Sequence, residues 1–322
     1  MNDKNNKRGL FIVWKKYQRR PEVLAPLTNC QISFLPHLFK SKILRPLDYL
    51  LKLINNLGYI WQHKPDFIIA QCPPNYSVLS ALITGTPYII DAHNPLFQVD
   101  TWRKLPLAKY LIRKARAIVV HNTEIGQVAK QMYPEAELFN ISDPIAYIAP
   151  VKDRSRQEKQ ILVISSFDPW DEPVELLIKT ISKLPEYTFM VTADAGKLPL
   201  ELSDRLQKMD NVRLTGFLPT AEYHALLRSS LAALVLTTSD ATQPSGACEA
   251  LSSDTQLVIS KTSLTERLFG KWAMLVDNSE KAIAEAIRSL SVAELDLQTE
   301  RKSWNRAVEA EIARLNEYIS KF

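Results

Sequence analysis

With 322 residues, of which 46% are apolar, the chain is long enough for two globular domains, each able to bury a core. Its net charge of +5 is unevenly distributed: residues 1–150 hold 19 Lys and Arg against 10 Asp and Glu, whereas residues 151–322 hold 21 against 25. A basic first half suits nucleic acid, an acidic membrane surface or a phosphorylated substrate, although a solvated basic face gives the same count. Nucleic acid is disfavoured because no aromatic-rich recognition motif accompanies the charge.

Cysteine usage and the terminus indicate where the protein resides. Cys30, Cys72 and Cys248 are far apart and form neither a CxxC pair nor a Cys/His cluster, which fits a reducing compartment without structural zinc. The polar N-terminus precedes only a short apolar run, which argues against a cleaved signal peptide, and no segment reaches the ~20 apolar residues of a bilayer span. We therefore expect a cytoplasmic protein with any membrane contact peripheral, on the inner face of the cell membrane.

Short apolar runs alternate with helical stretches, which predicts an α/β architecture with parallel sheets. In the first half the predicted strands are Leu10–Trp14, Phe67–Ala70, Tyr88–Ile90 and Ala117–Val120. The first strand leads into a basic turn, Lys15–Pro21, rather than into a glycine-rich loop. No GxGxxG or GxxxxGKS/T pattern occurs, which disfavours a dinucleotide site and a P-loop, and we expect no cofactor and no metal.

Between the first two of these strands, apolar residues from Ile43 to Trp61 recur at helical spacing, with basic residues such as Lys40, Arg45 and Lys52 around them. One interpretation is an amphipathic helix lying on anionic lipid. The other is a core-facing helix with a basic outer face. The two give the same pattern, because the apolar stripe does not say what covers it.

Polar residues follow the ends of the predicted strands of the first half: Gln71, Asp91, His93, Asn94, His121 and Asn122. Ligands of open parallel sheets bind at the carboxyl ends of the strands, so these residues are expected on one binding edge. His93 is the best candidate for a general base because imidazole titrates near neutrality, and Asp91 is placed to orient it. A structural histidine and an Asp that only caps a turn are the alternatives.

A polar segment with two prolines, Ser142–Gln160, predicts a linker. Beyond it the predicted strands are Ile161–Ile164, Tyr187–Thr192, Val212–Leu214 and Ala232–Leu236, with helices from Pro173 and near Thr220. We predict two tandem βα domains facing a central cleft. They span residues 1–145 and 161–296, joined by a linker at 146–160 and followed by a helix at 297–322.

The loop after the last of these strands carries Pro244, Ser245 and Gly246, followed by an apolar helical stretch. Proline suits the turn and serine is a good N-cap, so we predict that a helix begins close to Ser245. Its free N–H groups and the positive end of its dipole would bind a diphosphate without a metal. One turn in, Glu249 is placed to accept hydrogen bonds from a ribose, or simply to complement the helix dipole.

This loop and helix resemble those of family 4 glycosyltransferases of the GT-B fold. The family's nucleotide-sugar site contains a Glu, seven residues and a second Glu. Glu249 matches the second acid, whereas Ala241 stands at the first position with Asp240 one residue earlier. The resemblance implies two Rossmann-like domains facing a cleft and donor contacts from the helix start, from Glu249 and from Asp240.

Other motifs resemble the β-1,4-mannosyltransferase of dolichol-linked oligosaccharide assembly and its bacterial relatives. They are "SSFDPWDEPVELL" at 165–177, "VRLTGFLPTAEYHALLRSS" at 212–230 and "IIAQCPPNYSVLSA…PYIIDAHN" from residue 68. The resemblance implies an N-terminal acceptor domain, a C-terminal domain for a UDP- or GDP-linked sugar, and a final helix that returns to the first domain. The donor-binding candidates that follow from it are Ser165, Ser166, Gly196, Lys197, Gly216 and Phe217.

The family often places a basic residue after the first strand of the second domain, and here Lys197 or Lys261 is the substitute. On the acceptor side Tyr17, Arg19 and Arg20 follow the first strand and suit an anionic group such as a polyprenyl diphosphate, with Gln71 and Asn94 beside His93; a solvated basic turn is the alternative. We therefore expect a metal-independent glycosyltransferase acting on a lipid-linked or polysaccharide acceptor. A non-catalytic nucleotide-sugar scaffold and a sugar-nucleotide epimerase are the alternatives.

Overall fold

The computed structural model describes residues 7–39, 41–150 and 155–322. The chain divides into two compact units. The first comprises Met1–Pro144 and Asn305–Phe322, and the second comprises Ile145–Trp304. Residues 151–154 of the predicted linker, and Lys40 before the first long helix, lie outside the described residues.

Within its described residues the first unit contains one sheet of six parallel strands, ordered β2-β1-β3-β4-β5-β6. The strands are β1 Gly9–Val13, β2 Cys30–Phe34, β3 Phe67–Cys72, β4 Tyr88–Ala92, β5 Ala117–Val120 and β6 Leu138–Asn140. The helices are α1 Arg19–Leu24, α2 Arg45–His63, α3 Leu79–Thr84, α4 Pro95–Gln98, α5 Asp100–Arg103, α6 Ala108–Lys114 and α7 Thr123–Met132, with 3-10 turns at Pro26–Thr28, Lys42–Leu44 and Asn75–Val78. Strands β1, β3, β4 and β5 are buried throughout, as expected for parallel strands covered on both faces.

The second unit repeats the arrangement, with a described sheet in the order β12-β11-β10-β7-β8-β9. Its strands are β7 Gln157–Val163, β8 Thr188–Val191, β9 Val212–Leu214, β10 Ser230–Val235, β11 Gln256–Ser260 and β12 Met274–Val276. Its helices are α8 Val174–Ser182, α9 Leu200–Gln207, α10 Thr220–Ser229, α11 Ser245–Ser252, α12 Ser263–Phe269 and α13 Glu280–Ser289, with a 3-10 turn at Ala195–Lys197. The last helix, α14, spans Gln298–Ser320 and crosses the boundary between the units.

The core of the second unit lies on both faces of its sheet. Ile161 and Val163 of β7 belong to one apolar cluster, and Leu162 between them belongs to another. Successive side chains of a strand point to opposite faces, so the short apolar runs of the sequence serve two layers of helices at once.

The predicted strands agree with the observed ones to within about two residues, except that β7 begins at Gln157 rather than at Ile161, and β2, β6 and β12 were not predicted. These three lie at sheet edges, and their apolar runs are either only two or three residues long or interrupted by polar residues. The predicted basic turn is also different: helix α1 begins at Arg19 and takes in Arg20 and Pro21.

In helix α2 the apolar stripe predicted between Ile43 and Trp61 does not face the core, so the core-facing interpretation is wrong. Lys52 is buried at 2% exposure, and Leu50 and Ile54 are 52% and 57% exposed. The apolar stripe therefore faces outward. At the other end of the chain, the predicted spacing in α14 does mark a buried face, with Val308, Ile312, Leu315 and Ile319 all buried. No described helix has both the length and the apolar composition that crossing a bilayer requires.

Candidate functional site

In the first unit, polar residues from three neighbouring strands meet at the carboxyl edge of the sheet. Gln71 at the end of β3 pairs in register with Asp91 near the end of β4, which pairs with Val119 of β5. His93 follows β4, and His121 follows β5. The parallel register thus brings together side chains that are 50 residues apart, as the sequence predicted.

A buried ion pair anchors this edge. Arg20 donates from Nε to Oδ1 of Asp91 at 2.8 Å and from Nη1 to Oδ1 of Asp143 at 2.5 Å. The Arg20 and Asp91 side chains are 2% and 1% exposed. Burial by itself would raise the pKa of Asp91, but Arg20, with His93 and His121, holds this pKa well below its usual range. Arg20 therefore does not present its charge to an anionic acceptor, contrary to the sequence-based expectation.

His93 lies over this ion pair with its side chain 19% exposed. Its Nε2 atom is 2.7 Å from the Gln71 amide nitrogen, 3.4 Å from that of Gln18 and 3.5 Å from Oδ2 of Asp91. With the amide nitrogens so oriented, Nε2 is a hydrogen-bond acceptor, as a general base has to be. Its backbone N–H donates to the Cys72 carbonyl at 2.9 Å, which fixes its position.

The imidazole of His121 packs edge-on against His93, with 4.5 Å between ring centroids. Burial lowers the pKa of His121 well below its usual range, and the Arg20 charge lowers it further. His121 therefore stays neutral near pH 7. Near it, Nη2 of Arg20 and Oε1 of Gln71 are buried without a hydrogen-bond partner among the described residues.

The remaining acceptor-side candidates lie around this cluster at different depths. Tyr17 is 48% exposed and stacks on Phe34 with 6.2 Å between ring centroids. Arg19 is half-buried at the start of α1. Asn94 is the N-terminal flanking residue of α4, and its backbone carbonyl accepts from Phe97 and Gln98.

In the second unit, the serine-rich loop after β7 is held by one carboxylate. Glu172 accepts hydrogen bonds from the hydroxyl of Ser165, from the N–H and hydroxyl of Ser166, and from the N–H of Phe167. Phe167 adopts a left-handed backbone conformation with φ of 56°. Ser165 and Ser166, predicted to contact a donor, thus direct these groups at Glu172, which the sequence did not single out.

Helix α11 begins where the sequence placed it, but Pro244 is its N-terminal flanking residue and Ser245 its first helical residue. Pro244 makes no side-chain cap at this end, and Ser245 is exposed. Gly246 is buried, and a Cβ at this position would lie 2.9 Å from a methyl of Ile164 and 3.0 Å from a methyl of Val235. Glycine therefore lets the first turn of α11 approach the ends of β7 and β10.

Glu249 accepts a hydrogen bond from the hydroxyl of Tyr223 on α10, which fixes its carboxylate. Tyr223 lies in the mannosyltransferase-like motif at 212–230, which is the sequence signal for this contact. In the neighbouring loop Asp240 is exposed and Ala241 half-buried. The Thr238 N–H donates to the Asp171 carbonyl at 2.6 Å, which ties this loop to the one that holds Glu172.

The other donor-side candidates differ in how they are held. Nζ of Lys197 donates to the carbonyl of Ser166 at 3.3 Å, and the N–H of Gly196 donates to the Asp194 carboxylate at 2.9 Å. Gly216 has a φ of 59°, which requires a residue that tolerates the left-handed region. Phe217 beside it is 89% exposed. No three His, Cys, Asp or Glu side chains among the described residues converge as metal ligands.

A family model described as glycosyl transferases group 1 matches residues 158–292, which lie entirely within the second unit. This match makes the second unit a glycosyltransferase domain. The matched segment contains the Glu172 loop, the start of α11, and the Tyr223–Glu249 contact. A comparison with curated protein sequences finds no match to the chain.

Solved structures share the fold over nearly the whole chain. An Anabaena protein, Alr3699/HepE, in complex with UDP and glucose is 14% identical with a TM-score of 0.66, covering 98% of each chain. A UDP-forming α,α-trehalose-phosphate synthase from Burkholderia vietnamiensis is 12% identical with a TM-score of 0.63, covering 97% of each. A putative UDP-N-acetylglucosamine 2-epimerase from Listeria monocytogenes is 12% identical with a TM-score of 0.59, covering 96% of this chain and 95% of its own. The two parallel sheets with interleaved helices are thus those of the GT-B fold.

Proposed function

We propose that this glycosyltransferase moves a sugar from a UDP- or GDP-linked donor to a lipid-linked or polysaccharide acceptor without a metal ion. The observation that carries the proposal is the family match, which falls on the unit where the start of α11 and Glu249 stand together. Two of the similar structures, one in complex with UDP and glucose and one of a UDP-forming synthase, support a nucleotide-sugar donor.

The donor diphosphate is proposed to bind at the first turn of α11. This helix end carries backbone N–H groups and the positive end of the helix dipole, and its flanking residue Pro244 makes no side-chain cap. Because Gly246 has no side chain, the first turn of α11 can lie close to the end of β7. Glu249, held by Tyr223, is proposed to accept hydrogen bonds from the ribose, while Asp240, Gly216 and Phe217 are proposed to complete the donor contacts.

Lys197 is the better of the two candidate cations for the leaving diphosphate. Its Nζ already contacts the Ser166 carbonyl at the end of β7, at 3.3 Å. The Lys261 ammonium lies 3.5 Å from the Glu266 carboxylate, which partly neutralises it. A preorganised cation and helix dipole stabilise the charge that develops as the bond between anomeric carbon and diphosphate breaks.

On the acceptor side His93 is proposed to take the proton of the attacking hydroxyl at Nε2. The hydroxyl oxygen forms the new bond to the anomeric carbon, and the electron pair of the old bond leaves with the diphosphate. Asp91 lies 3.5 Å from Nε2 and stabilises the imidazolium that forms. The Arg20 charge is committed to two carboxylates, so Arg20 is a positioning residue.

The lipid-linked acceptor is the finer part of this proposal. It is supported by the mannosyltransferase-like motifs and by the basic first half of the chain, which contains 19 Lys and Arg but only 10 Asp and Glu. The reaction would then take place at the inner face of the cell membrane, with Tyr17 and Arg19 near the anionic part of the acceptor.

A non-catalytic nucleotide-sugar scaffold is the second candidate. Ala241 stands where the family has an acid. Glu172 already accepts the hydrogen bonds that the Ser165 and Ser166 hydroxyls could donate to a ligand. Both observations concern the sugar end of the donor site, so this candidate predicts nucleotide binding without transfer.

Nucleotide release with UDP- and GDP-sugars, in EDTA and with membrane lipid extract as acceptor, tests the proposal. We expect turnover by the wild type and a loss of about 10- to 100-fold in kcat/KM for Glu249→Ala, because a charged hydrogen bond is worth about 1.5–3 kcal/mol. Glu222→Ala, an exposed acid on α10, is the matched control and should retain activity.

Thermal shift separates the two candidates. Stabilisation by UDP or GDP with turnover supports transfer, and stabilisation without turnover supports the scaffold. If Glu249→Ala and His93→Ala both kept full activity, the site assignment would be wrong.

A further inference from the structure

Helix α2 is inverted with respect to an ordinary surface helix. Asp48, Lys52 and Asn56, spaced one turn apart, are each at most 2% exposed. The opposite side, here called the α2 outer face, consists of Leu47, Leu50, Leu51, Ile54 and Trp61, exposed by 45%, 52%, 37%, 57% and 81%. At 100° per residue these five lie within an arc of about 100°, which is the width of a helix face that packs on an apolar medium.

The buried polar face fixes this orientation. The Lys52 ammonium lies 3.1 Å from Oδ2 of Asp48, and the other Asp48 oxygen accepts from the Leu38 N–H at 2.8 Å. Nδ1 of His37 lies 2.6 Å from Asp48, and Nζ of Lys52 is 5.5 Å from the ring centroid of Trp14. Rotating α2 to bury its leucines would break these contacts and place a paired charge in solvent, so the exposed apolar face is built into the fold.

A basic segment of the chain is linked to this helix through Tyr76. Tyr49 of α2 meets Tyr76 edge-on at 6.3 Å between ring centroids, and the Tyr76 hydroxyl donates to the Pro106 carbonyl at 3.3 Å. Pro106 belongs to the basic segment, residues 103–116, which holds six Lys and Arg and no Asp or Glu. All six of these basic residues are exposed, together with Leu107 and Tyr110.

We propose that the α2 outer face and the basic segment dock together on an anionic lipid bilayer, the apolar side chains entering the interface and the cations meeting lipid phosphates. An apolar helix face beside clustered cations is the composition that binds anionic membranes. A second copy of the chain is disfavoured as the occupant, because it would bring two basic surfaces together. The inference rests on the proposed function, in which the acceptor is lipid-linked, and it names the surface that would hold the protein at the membrane.

Vesicle co-sedimentation tests the inference without depending on sugar transfer. The full chain is mixed with vesicles of phosphatidylcholine alone or with phosphatidylglycerol, at low and high salt. We expect binding to the anionic vesicles and its loss at high salt. Leu50→Glu/Ile54→Glu should weaken binding at least about tenfold, because two apolar side chains no longer leave water. Leu200→Glu, at a residue 78% exposed on α9, is the matched control.

The cationic part has its own pair of variants. Arg113→Glu/Lys114→Glu should weaken binding to anionic vesicles several-fold, while Lys271→Glu/Lys281→Glu changes the net charge equally on the second unit and should have a smaller effect. Circular dichroism and the nucleotide-induced thermal shift verify that each variant is folded and retains its donor site.

Three results overturn the inference: wild type that does not bind anionic vesicles, an α2 outer-face variant that binds as well as wild type, or equal binding to neutral vesicles. A wild-type dimer in light scattering that Leu50→Glu/Ile54→Glu converts to monomer would also overturn it and assign the face to a second copy.

Discussion

Each unit has a described sheet of six parallel strands with helices between them, yet the polar residues that follow the strands are stabilised differently in the two units. In the first, Arg20 and Asp91 form a buried ion pair under a partly exposed His93. In the second, Glu172 and Glu249 are half-buried carboxylates held by hydroxyl and N–H groups within single loops or between adjacent helices. One architecture thus supports a rigid charged site and a more adaptable one, and the chemistry depends on the site rather than on the fold.

This contrast has an energetic meaning. A buried charge cannot lose its partner without a large desolvation penalty, so the first unit should respond strongly to single substitutions in its cluster. A half-buried carboxylate exchanges its hydrogen bonds for water at little cost, so the second unit should respond chiefly in ligand binding and in packing. The following variants test this difference.

The largest expected effect is on stability in the first unit. Arg20→Met should lower the free energy of unfolding by about 3–5 kcal/mol, because Asp91 is left buried without a cation. The low pKa of Asp91 stabilises the fold above about pH 4, where the unfolded group ionises, so this contribution disappears as the pH falls. Denaturant titrations at pH 7 and at about pH 2, below the unfolded pKa, measure the difference. Lys16→Met, at an exposed position, should cost less than about 0.5 kcal/mol, and an equal cost for both variants would remove the contrast.

His93→Ala should reduce turnover about 100-fold, since a positioned general base contributes at least this much. The side chain is 19% exposed and makes no charge pair as short as that of Arg20, so the melting temperature should change little. Steady-state kinetics and a thermal melt check both parts. His63→Ala, an exposed histidine at the end of α2, should retain turnover. A kinetic loss matched by a comparable loss of stability would make His93 structural instead.

Gly246→Ala tests close packing in the second unit. Its Cβ would lie 2.9 Å from Ile164, so overpacking should cost about 1–3 kcal/mol and move the start of α11 away from β7. The thermal shift that UDP or GDP induces should be smaller in Gly246→Ala than in wild type, because the proposed diphosphate site at the start of α11 is displaced. Gly58→Ala is the matched helical control, because a Cβ there meets nothing within 4 Å, and it should stabilise α2 by about 0.5–1 kcal/mol.

The smallest effect concerns Asp171. Burial and the neighbouring Glu172 and Asp168 raise the pKa of Asp171 to about 6, so ionising it in the folded state costs free energy as the pH rises from about 4 to 6. Asp171→Asn should therefore raise stability at pH 7 by less than about 1 kcal/mol, a small value because the group is partly exposed. Melts at pH 7 and pH 4 check this, and a gain that persists at pH 4 would refute the electrostatic explanation.

Part of the candidate site was predictable from the sequence. The parallel sheet rule placed Gln71, Asp91 and His93 on one edge, because the ends of neighbouring parallel strands coincide. Two other residues of the cluster were not predictable. Gln18, which contacts His93, and Asp143, which pairs with Arg20, lie in loops, and nothing in their local sequence marks them. Glu172 was likewise missed, because the Ser165 and Ser166 hydroxyls and the backbone N–H groups that it binds were expected to contact a donor instead.

The sequence by itself determined the layering. Buried parallel strands must be short apolar runs, and the helices that cover them must carry an apolar face, so both sheets and the start of α11 follow from local pattern. Only the tertiary structure decided which way α2 faces and whether Arg20 is a surface cation or a buried one. Helical periodicity fixes which residues share a face, but burial depends on the contacts available elsewhere in the fold. In α2 the contacts of Asp48 and Lys52 turned the polar face inward.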